Sequence, residues 1–373
     1  MLDARAVVTG IGSCLPPDVV SNDDLSHVLD TSHDWIFSRT GIARRHVVRP
    51  GTSTGDLGTA AGAAALESAG RRTCDLVVLV TSTPDQRCPA TAPQIAARLG
   101  LSGVPAFDLS AVCSGFVYGL TVASSMISSG LYESVLLIGA ETYSTIVDPT
   151  DRNTAVLFGD GAAAVVLERG ASGAAGEVLH ADLGSDGCHA ELISIPGGGS
   201  RAPHTDADEA SRYFQMAGKE VYTRAVATMT QSARCVADAV GWQVEQIDAF
   251  VGHQANARIL RAVAKRLGLS TDRVVCQLAE VGNTAAASIP LALAWAASQD
   301  RISTGDRVLL TAFGGGLTWG SVALVWPDVR PVHAEVGMPN APVAVRGSAL
   351  TEAELTADTG AGPGSGRLAV PAG

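Results

Sequence analysis

The sequence lacks C-x-x-C pairs and any zinc-type Cys/His spacing, although it contains seven cysteines, at positions 14, 74, 88, 113, 188, 235 and 276. Their number is odd, and the first residues, Met-Leu-Asp-Ala-Arg, have none of the apolar character of a secretory signal peptide. No apolar run approaches the roughly 20 uncharged residues of a membrane-spanning helix. These absences argue against a metal site, a disulfide scaffold and a membrane location. We expect a reduced, cytoplasmic protein.

Basic residues are also scarce. Lys and Arg number 26 against 37 Asp and Glu, so the formal net charge is −11. Such a chain has no general positive field, and we do not expect nucleic acid as its main partner. With 373 residues, 46% of them hydrophobic, it is long enough to bury a large core, as two domains or as one doubled domain.

The same order of motifs occurs twice along the chain. In the first half, Arg-Leu-Gly-Leu-Ser precedes a strand-like run at 104–109, then Cys113 and a helix-like run at 116–129. In the second half, Arg-Leu-Gly-Leu-Ser precedes a strand-like run at 274–278, then Gly-Asn283 and a helical pattern. Short apolar strands alternating with helices are typical of parallel βαβ units with both sheet faces covered. The sequence therefore predicts an α/β protein built from two duplicated halves.

Cys113 stands at the junction between a predicted strand and a predicted helix. A thiol at a helix N-terminus faces unpaired N–H groups and the positive end of the helix dipole. Both favour the thiolate, which is the nucleophilic form, and predict a lowered thiol pKa. The alternative is a buried structural cysteine, the commoner role of a free Cys.

Three further features fall at the ends of predicted strands. His253 follows Phe-Val-Gly, Asn283 precedes a helix, and a Gly run at 314–316 follows Leu-Leu-Thr-Ala-Phe. Taken singly, each has an ordinary interpretation: a buried histidine, a helix N-cap and a tight turn. Strand carboxyl ends are where open α/β sheets bind ligands. If the two halves pack about a pseudo-twofold axis, Cys113, His253 and Asn283 converge on one point.

Several stretches together resemble the β-ketoacyl-acyl-carrier-protein synthase III family of the thiolase-like superfamily. They are Asp30-Thr-Ser-His-Asp-Trp-Ile-Phe-Ser-Arg-Thr-Gly-Ile, Cys113-Ser-Gly-Phe, Asp148-Pro-Thr-Asp-Arg, Phe158-Gly-Asp-Gly-Ala, His253-Gln-Ala-Asn-Ala-Arg-Ile, Gly282-Asn-Thr-Ala-Ala-Ala-Ser and Ala312-Phe-Gly-Gly-Gly-Leu-Thr-Trp-Gly-Ser. The resemblance covers about residues 5–326 in collinear order.

The resemblance implies a layered α-β-α-β-α core. We expect an N-terminal thiolase-like half at 1–170 with the nucleophile, and a linker with a loop insertion at 171–215. A C-terminal half at 216–327 would carry the His and the Asn, and a Pro/Ala/Gly-rich tail at 328–373 has no family counterpart.

The resemblance also implies a two-step reaction. Cys113 takes an acyl group from acyl-CoA, with the backbone N–H groups of Cys113 and Gly315 holding the oxyanion. Malonyl-acyl-carrier-protein then loses CO₂, and His253 and Asn283 hydrogen-bond the enolate oxygen, which leads to a β-ketoacyl product. This priming step serves fatty-acid or polyketide synthesis and needs no metal or bound cofactor.

The same resemblance assigns residues to substrate recognition. Trp35 and Arg152 would sandwich the adenine of coenzyme A. The other residues expected at the substrate are Thr31, Arg39, Phe158, Asn256, Phe313 and Cys88. A basic group that comprises Arg258, Lys265 and Arg266 would meet the acidic carrier protein, although a solvated helix face is the alternative.

Cys88 departs from the family pattern, which commonly has a bulky aromatic residue there. The resemblance implies a homodimer in which the Cys88 loop reaches the partner's acyl pocket. We therefore expect a pocket open to starters longer than acetyl.

Two other functions remain to be weighed. One is a thiolase-fold acyltransferase that moves the acyl group from Cys113 to an alcohol, amine or thiol without condensation. The other is a non-catalytic subunit, such as a chain-length factor. Asn283 favours condensation, because decarboxylation needs that donor. The presence of Cys113, His253 and Asn283 together argues against a non-catalytic role.

Overall fold

A computed structural model describes residues 4–203 and 209–336. The helices of this part are α1 (Asn22–Ser26), α2 (His33–Thr40), α3 (Thr54–Ser68), α4 (Ala92–Arg98), α5 (Gly115–Ser128), α6 (Gly218–Ala239), α7 (Ala257–Leu267), α8 (Leu278–Val281) and α9 (Ser288–Ser298). Its strands are β1 (Ala4–Cys14), β2 (Asp18–Ser21), β3 (Arg44–Val47), β4 (Leu76–Val80), β5 (Ala106–Leu109), β6 (Ser134–Thr142), β7 (Asp160–Ala171), β8 (Val178–Ser185), β9 (Ile193–Ser194), β10 (Gln215–Met216), β11 (Ala249–Gly252), β12 (Arg307–Gly314), β13 (Thr318–Val325) and β14 (Val332–Ala334).

Two main sheets form the framework. The first has the strand order β14-β1-β7-β6-β4-β5, and the second has the order β11-β12-β13-β8. Strand β4 has the sequence Leu-Val-Val-Leu-Val, is buried at every residue, and pairs in parallel with both β5 and β6. A continuous run of branched apolar side chains suits this position, because both faces of the strand are covered.

Helices cover both sheets in layers. Helices α3 and α4 pack on the outer face of the first sheet, α5 and α9 lie between the sheets, and α6 and α7 pack on the outer face of the second. This α-β-α-β-α order confirms the fold predicted from the sequence. It also brings the carboxyl ends of β5 and β11, and the starts of α5 and α9, toward the region between the sheets.

Small residues let α5 fit between the sheets. A Cβ atom added at Gly119 would lie 2.7 Å from both Leu137 Cδ1 and Val80 Cγ2. Real Cβ atoms do not approach other atoms so closely, so this contact between helix and strand requires glycine. The position of Cys113, just before α5, depends on this packing.

The structure differs from the sequence-based prediction in three places. The run at 274–278 is not a strand: Val274 makes a single parallel bridge to Phe250, and the chain then turns into α8. Strand β8 lies within the segment predicted as a linker and joins the second sheet. Strand β14 lies within the predicted tail and pairs with β1. The part of the tail after residue 336 lies outside the described residues.

Candidate active site

Cys113, His253 and Asn283 line one cavity, as their positions at strand ends predict. The cavity has a volume of about 40 Å³. The rest of its wall is apolar and is formed mainly by Phe158, Ile193, Phe214, Met216, Met229 and Phe313. A nucleophile, an imidazole and an amide therefore meet in a pocket whose wall is otherwise apolar.

Cys113 lies in a short 3₁₀ turn, Val112–Ser114, which connects β5 to α5. Val112 has φ 48, in the left-handed region that β-branched residues avoid. Backbone strain of this kind is concentrated at functional sites, where the surrounding structure enforces it. The turn holds Cys113 at the wall of the cavity with only 7% of the residue exposed.

The thiol of Cys113 is protonated at rest. Burial raises its pKa above the ordinary value, and the nearby Glu141 carboxylate raises it further. The position before α5 predicts the opposite direction, and that prediction is wrong. Removing water from a thiolate costs more free energy here than its interaction with the N-terminus of α5 provides. The negative charge of Glu141 also disfavours a second negative charge on Cys113.

Glu141 is a functional candidate that the sequence reasoning missed. It is fully buried near the end of β6. Its carboxylate accepts hydrogen bonds from the Ser82 hydroxyl at 2.8 Å, the Ser82 N–H at 3.1 Å, and the hydroxyls of Thr81 and Thr83. Burial raises the pKa of Glu141 to about 7, although these hydrogen bonds oppose the rise. The sequence does contain a signal for Glu141: it is a single carboxylate that follows six apolar or small residues of a strand.

His253 follows β11, and its backbone N–H donates to the Thr311 carbonyl at 2.8 Å. Its ring Nδ1 lies 2.7 Å from Ser288 Oγ, at the start of α9. Burial lowers the pKa of His253 to about 3. The imidazole is therefore neutral at physiological pH, as a hydrogen-bond donor to a developing anion should be before reaction.

Asn283 is held by the segment Phe158-Gly-Asp-Gly. Its N–H donates to the Leu157 carbonyl at 2.9 Å, and its carbonyl accepts from the Gly159 N–H at 3.0 Å. The Ala285 N–H donates to Asn283 Oδ1 at 2.9 Å. Because the amide oxygen is engaged there, the amide NH₂ group is the part left to donate into the cavity.

The Gly run after β12 lies against the nucleophile. A Cβ atom at Gly314 would lie 2.8 Å from the backbone nitrogen of Cys113. Gly315 comes next, and its carbonyl accepts a hydrogen bond from Thr318 Oγ1 at 2.8 Å. The predicted oxyanion residues, Cys113 and Gly315, thus belong to two backbone segments that are in direct contact.

A second, larger cavity adjoins the first. It has a volume of about 890 Å³, and Asn283 and Phe214 line both cavities. Its wall also includes Trp35, Arg39 and Asn256. The two cavities together form a channel from the Trp35 region to Cys113, wide at the outer part and narrow at the thiol.

Trp35 is in contact with two guanidinium groups. Arg39 and Arg152 each lie 4.5 Å from the centre of its ring. Arg152 also forms an ion pair with Asp30 at 3.3 Å. No aromatic ring fits between Trp35 and Arg152 at this separation, so the predicted adenine sandwich requires Arg152 to move. The hydroxyl of Thr31 is buried and makes no hydrogen bond within the described part of the chain.

The three predicted carrier-contact residues are distributed along α7. Asn256 caps this helix, since its Oδ1 accepts from the Arg258 N–H at 2.8 Å. Arg258 lies over the ring of Tyr222 and lines the channel. Lys265 and Arg266 are exposed at the other end of the helix, roughly 10 Å further along its axis at 1.5 Å per residue. Only Arg258 of the three lines the channel.

Two other predicted residues occupy very different positions. Phe158 lies in the cavity wall, where its ring stacks on Tyr143 with ring centres 4.7 Å apart. Cys88 is exposed and does not line the cavity of its own chain. The predicted contact of Cys88 with a partner's pocket stays a prediction.

The described residues contain neither a metal-binding cluster nor a membrane-spanning helix. No group of three or more His, Cys, Asp or Glu side chains there is arranged to hold a metal ion. No helix there is both long and apolar enough to cross a lipid bilayer.

Comparisons with known proteins agree with this geometry. Residues 107–187 match the family model for 3-oxoacyl-(acyl-carrier-protein) synthase III, and residues 237–326 match the model for the C-terminal part of the same enzyme. A curated relative from Streptomyces coelicolor, β-ketoacyl-(acyl-carrier-protein) synthase III 2, is 63% identical over 330 residues, which covers 88% of this chain and 96% of the relative. The chain belongs to the 3-oxoacyl-(acyl-carrier-protein) synthase III family.

Solved structures of the synthase III family match the whole core. The crystal structure of the enzyme from Pseudomonas aeruginosa has a TM-score of 0.83 and 52% identity, covering 88% of this chain and 100% of that one. A priming β-ketosynthase from a polyketide biosynthetic pathway has a TM-score of 0.82 and 33% identity, covering 88% and 98%. The synthase III chain described here is therefore a condensing enzyme of the acyltransferase class.

Proposed function

We propose that this synthase III loads an acyl group from acyl-CoA onto Cys113 and condenses it with malonyl-acyl-carrier-protein by decarboxylation, which primes fatty-acid or polyketide synthesis. The main observation in support is that Cys113, His253 and Asn283 line one apolar cavity at the end of a channel. A thioester in this channel reaches the thiol with little competing water.

The first step exchanges one thioester for another. Cys113 Sγ attacks the acyl carbonyl, the new C–S bond forms, and the bond to the coenzyme A sulfur breaks. Coenzyme A leaves as a thiol, so the proton of the Cys113 thiol ends on the departing sulfur. The backbone N–H groups of Cys113 and Gly315 are the proposed donors to the oxyanion that forms between these events.

The second step generates a carbon nucleophile. The malonyl group loses CO₂, and its electron pair is delocalised onto the thioester oxygen as an enolate. His253 and Asn283 are the proposed donors to that oxygen, and both are uncharged before reaction. The α-carbon then attacks the acyl group on Cys113, the thiolate is released and takes up a proton, and the β-ketoacyl product remains on the carrier protein.

The orientation of Asn283 favours condensation over simple acyl transfer to an alcohol, amine or thiol. Its NH₂ group is left to donate because the Ala285 N–H engages Oδ1. An acyl transfer from Cys113 forms its oxyanion at the acyl carbonyl, where the backbone N–H groups already serve. A second pair of donors is needed only if another negative oxygen, such as an enolate, forms.

We assign the outer channel to coenzyme A and the carrier-protein arm. Trp35, Arg39 and Arg152 offer a ring and two cations to an adenine nucleotide, and Thr31 adds a hydroxyl that has no hydrogen-bond partner among the described residues. Asn256 lines the channel where a pantetheine arm passes, and Arg258, which also lines it, is the proposed contact of an incoming acidic carrier protein. Lys265 and Arg266 extend this positive surface along α7.

We further propose a homodimer located in the cytoplasm that works without a cofactor. All seven cysteines are free thiols in the structure, as is usual in a reducing compartment. The reaction itself involves no change of oxidation state, and protein N–H groups supply the stabilisation of charge that a metal would otherwise provide.

The acyl group that is loaded onto Cys113, the starter, is expected to be short. A water-sized group needs roughly 10–15 Å³, so the cavity of about 40 Å³ beside Cys113 takes about three such groups. An acyl chain of a few carbons fits this space.

Intact-mass analysis tests the proposal. The protein is incubated with a panel of acyl-CoAs, and the expected result is a single acyl adduct on the parent and on Cys235→Ala, whose exposed thiol lies elsewhere. Cys113→Ala is expected to carry no adduct, while it still releases CO₂ from malonyl-acyl-carrier-protein. An adduct that persists on Cys113→Ala would contradict the assignment of the nucleophile.

A further inference from the structure

The hydroxyl of Ser288 is in contact with the ring of His253. Ser288 is the first residue of α9 and is 1% exposed, and its Oγ lies 2.7 Å from His253 Nδ1. A serine hydroxyl can donate to a ring nitrogen or accept from it. The direction of this one hydrogen bond decides which nitrogen of the neutral ring carries the proton.

The surroundings of Ser288 fix the direction. The Gln254 N–H donates to Ser288 Oγ at 3.3 Å. Within residues 4–203 and 209–336, the only acceptor bonded to the Ser288 hydroxyl is His253 Nδ1. If Nδ1 donated instead, the proton of a fully buried hydroxyl would have no acceptor, a situation that folded proteins avoid. The hydroxyl therefore donates, and Nδ1 accepts.

We infer that Ser288 is a positioning residue, which holds His253 in the tautomer with its proton on Nε2. Nδ1 is occupied by Ser288, so Nε2 is the nitrogen left to the cavity that His253 lines. The ring then presents an N–H donor to this cavity. The opposite tautomer would present a lone pair.

This inference rests on the proposed function and specifies how one part of it works. A lone pair on Nε2 would repel the enolate oxygen, whereas an N–H stabilises it. The hydrogen bond from Ser288 to His253 resembles the one at Asn283, where the Ala285 N–H donates to Oδ1 and leaves the NH₂ group free to donate. Each of the two proposed enolate donors is thus oriented by a neighbour that lines neither cavity.

The tautomer can be measured directly. Full-length protein is labelled with ¹⁵N-histidine, and long-range ¹H–¹⁵N correlation spectra separate protonated from unprotonated ring nitrogens. The signals of His253 are those missing from His253→Gln. The expected result at neutral pH is a proton on Nε2 and none on Nδ1. A proton on Nδ1 would overturn the inference, whatever the variants show.

Kinetics of Ser288→Ala and Ser288→Thr give a second test. Ser288→Ala is expected to lower CO₂ release from malonyl-acyl-carrier-protein by about tenfold, less than the roughly 10²–10³ lost with a whole donor. Acyl loading of Cys113 and KM for the carrier protein should stay within about twofold, because neither uses the His253 proton. Ser288→Thr keeps the hydroxyl and should restore most of the CO₂ release.

The matched control is Ser232→Ala, which also removes a buried hydroxyl, one that bonds to Asp182 away from the cavity. Its rates should equal those of the parent. Equal losses of loading and CO₂ release in Ser288→Ala would show a merely structural role and contradict the inference. If Ser288→Ala does not fold, the spectrum of the parent protein decides. A parent that neither loads nor decarboxylates, with the proton still on Nε2, would instead refute the proposed function.

Discussion

Gly314, the last residue of β12 in the second sheet, is in direct backbone contact with Cys113, in the turn that follows β5 of the first sheet. A Cβ atom at Gly314 would lie 2.8 Å from the Cys113 nitrogen and 3.2 Å from its Cβ. The strand end that carries Gly314 thus sets the position of the Cys113 N–H, one of the two proposed oxyanion donors.

Gly314→Ala is therefore expected to impair acyl loading. The new methyl group must displace the turn that holds Cys113, and a misplaced oxyanion donor costs up to roughly 10²–10³ in rate. The measurement is the loading rate with acetyl-CoA by intact mass. Gly187→Ala is the matched control, because a Cβ there meets no atom within 4 Å. Parent-like loading by Gly314→Ala would show that this contact is unimportant.

Glu141→Gln is expected to increase the reactivity of Cys113 in a pH-dependent way. The carboxylate raises the pKa of the Cys113 thiol, so a neutral amide should lower that pKa, although burial keeps it above the ordinary value. The pKa of Glu141 is itself about 7. Below this pH the parent's Glu141 is mostly neutral and the two proteins should react alike, whereas above it the variant should react faster.

The rate of Cys113 alkylation by iodoacetamide, followed by mass from pH 5 to pH 9, checks this prediction. Glu177→Gln is the control, since Glu177 is also buried but lies just before β8 and pairs with Arg5. A constant ratio of variant to parent rates over the whole pH range would contradict the assigned coupling between Glu141 and Cys113.

Asn283→Asp is expected to separate the two steps. Acyl loading should be largely intact, whereas condensation should fall by about 10²–10³, because the enolate loses a donor and faces a carboxylate. Loading is followed by intact mass, and condensation by formation of the β-ketoacyl carrier protein. Condensation near the parent rate would contradict the assignment of Asn283 as a donor to the enolate.

Cys88→Phe is expected to shift starter preference toward acetyl. In the proposed homodimer the Cys88 loop reaches the partner's pocket, and a phenyl ring there fills space that a thiol leaves open. Each buried methylene of a starter is worth roughly 0.8 kcal/mol, or about fourfold in binding. The measurement is the ratio of kcat/KM for butyryl-CoA over acetyl-CoA, with Cys188→Phe as an exposed control. If the parent prefers acetyl-CoA and the ratio is unchanged in Cys88→Phe, Cys88 does not determine the size of the acyl pocket.

The fold class and the residues that line the candidate site could be predicted from the amino-acid sequence and from the family resemblance that its motifs carry. Apolar runs such as β4 can be recognised locally, and their alternation with helices favours the parallel pairing that β4 makes with β5 and β6. The antiparallel pairs of β7 with β1 and β6, and of β13 with β12 and β8, could not be predicted in this way. Cys113 and His253 could be placed together because each follows the carboxyl end of a strand, β5 or β11, and Asn283 because it occupies in the second half the place that Cys113 has in the first. The run at 274–278 shows the limit of local reasoning: its composition suits a strand, but the chain turns into α8 instead.

The protonation and the orientation of these groups depend on contacts that no local sequence pattern specifies. The pKa of Cys113 depends on how completely the second sheet and α6 exclude water, and on Glu141, which belongs to another strand. The tautomer of His253 depends on Ser288 at the start of α9. The position of the Cys113 N–H depends on Gly314 at the end of β12. These contacts join residues far apart in the chain at distances near 3 Å. Such contacts follow from the packing of both sheets around α5 and α9. They cannot be predicted from a local sequence pattern, because such a pattern indicates a helix or a strand and not the elements that pack against it.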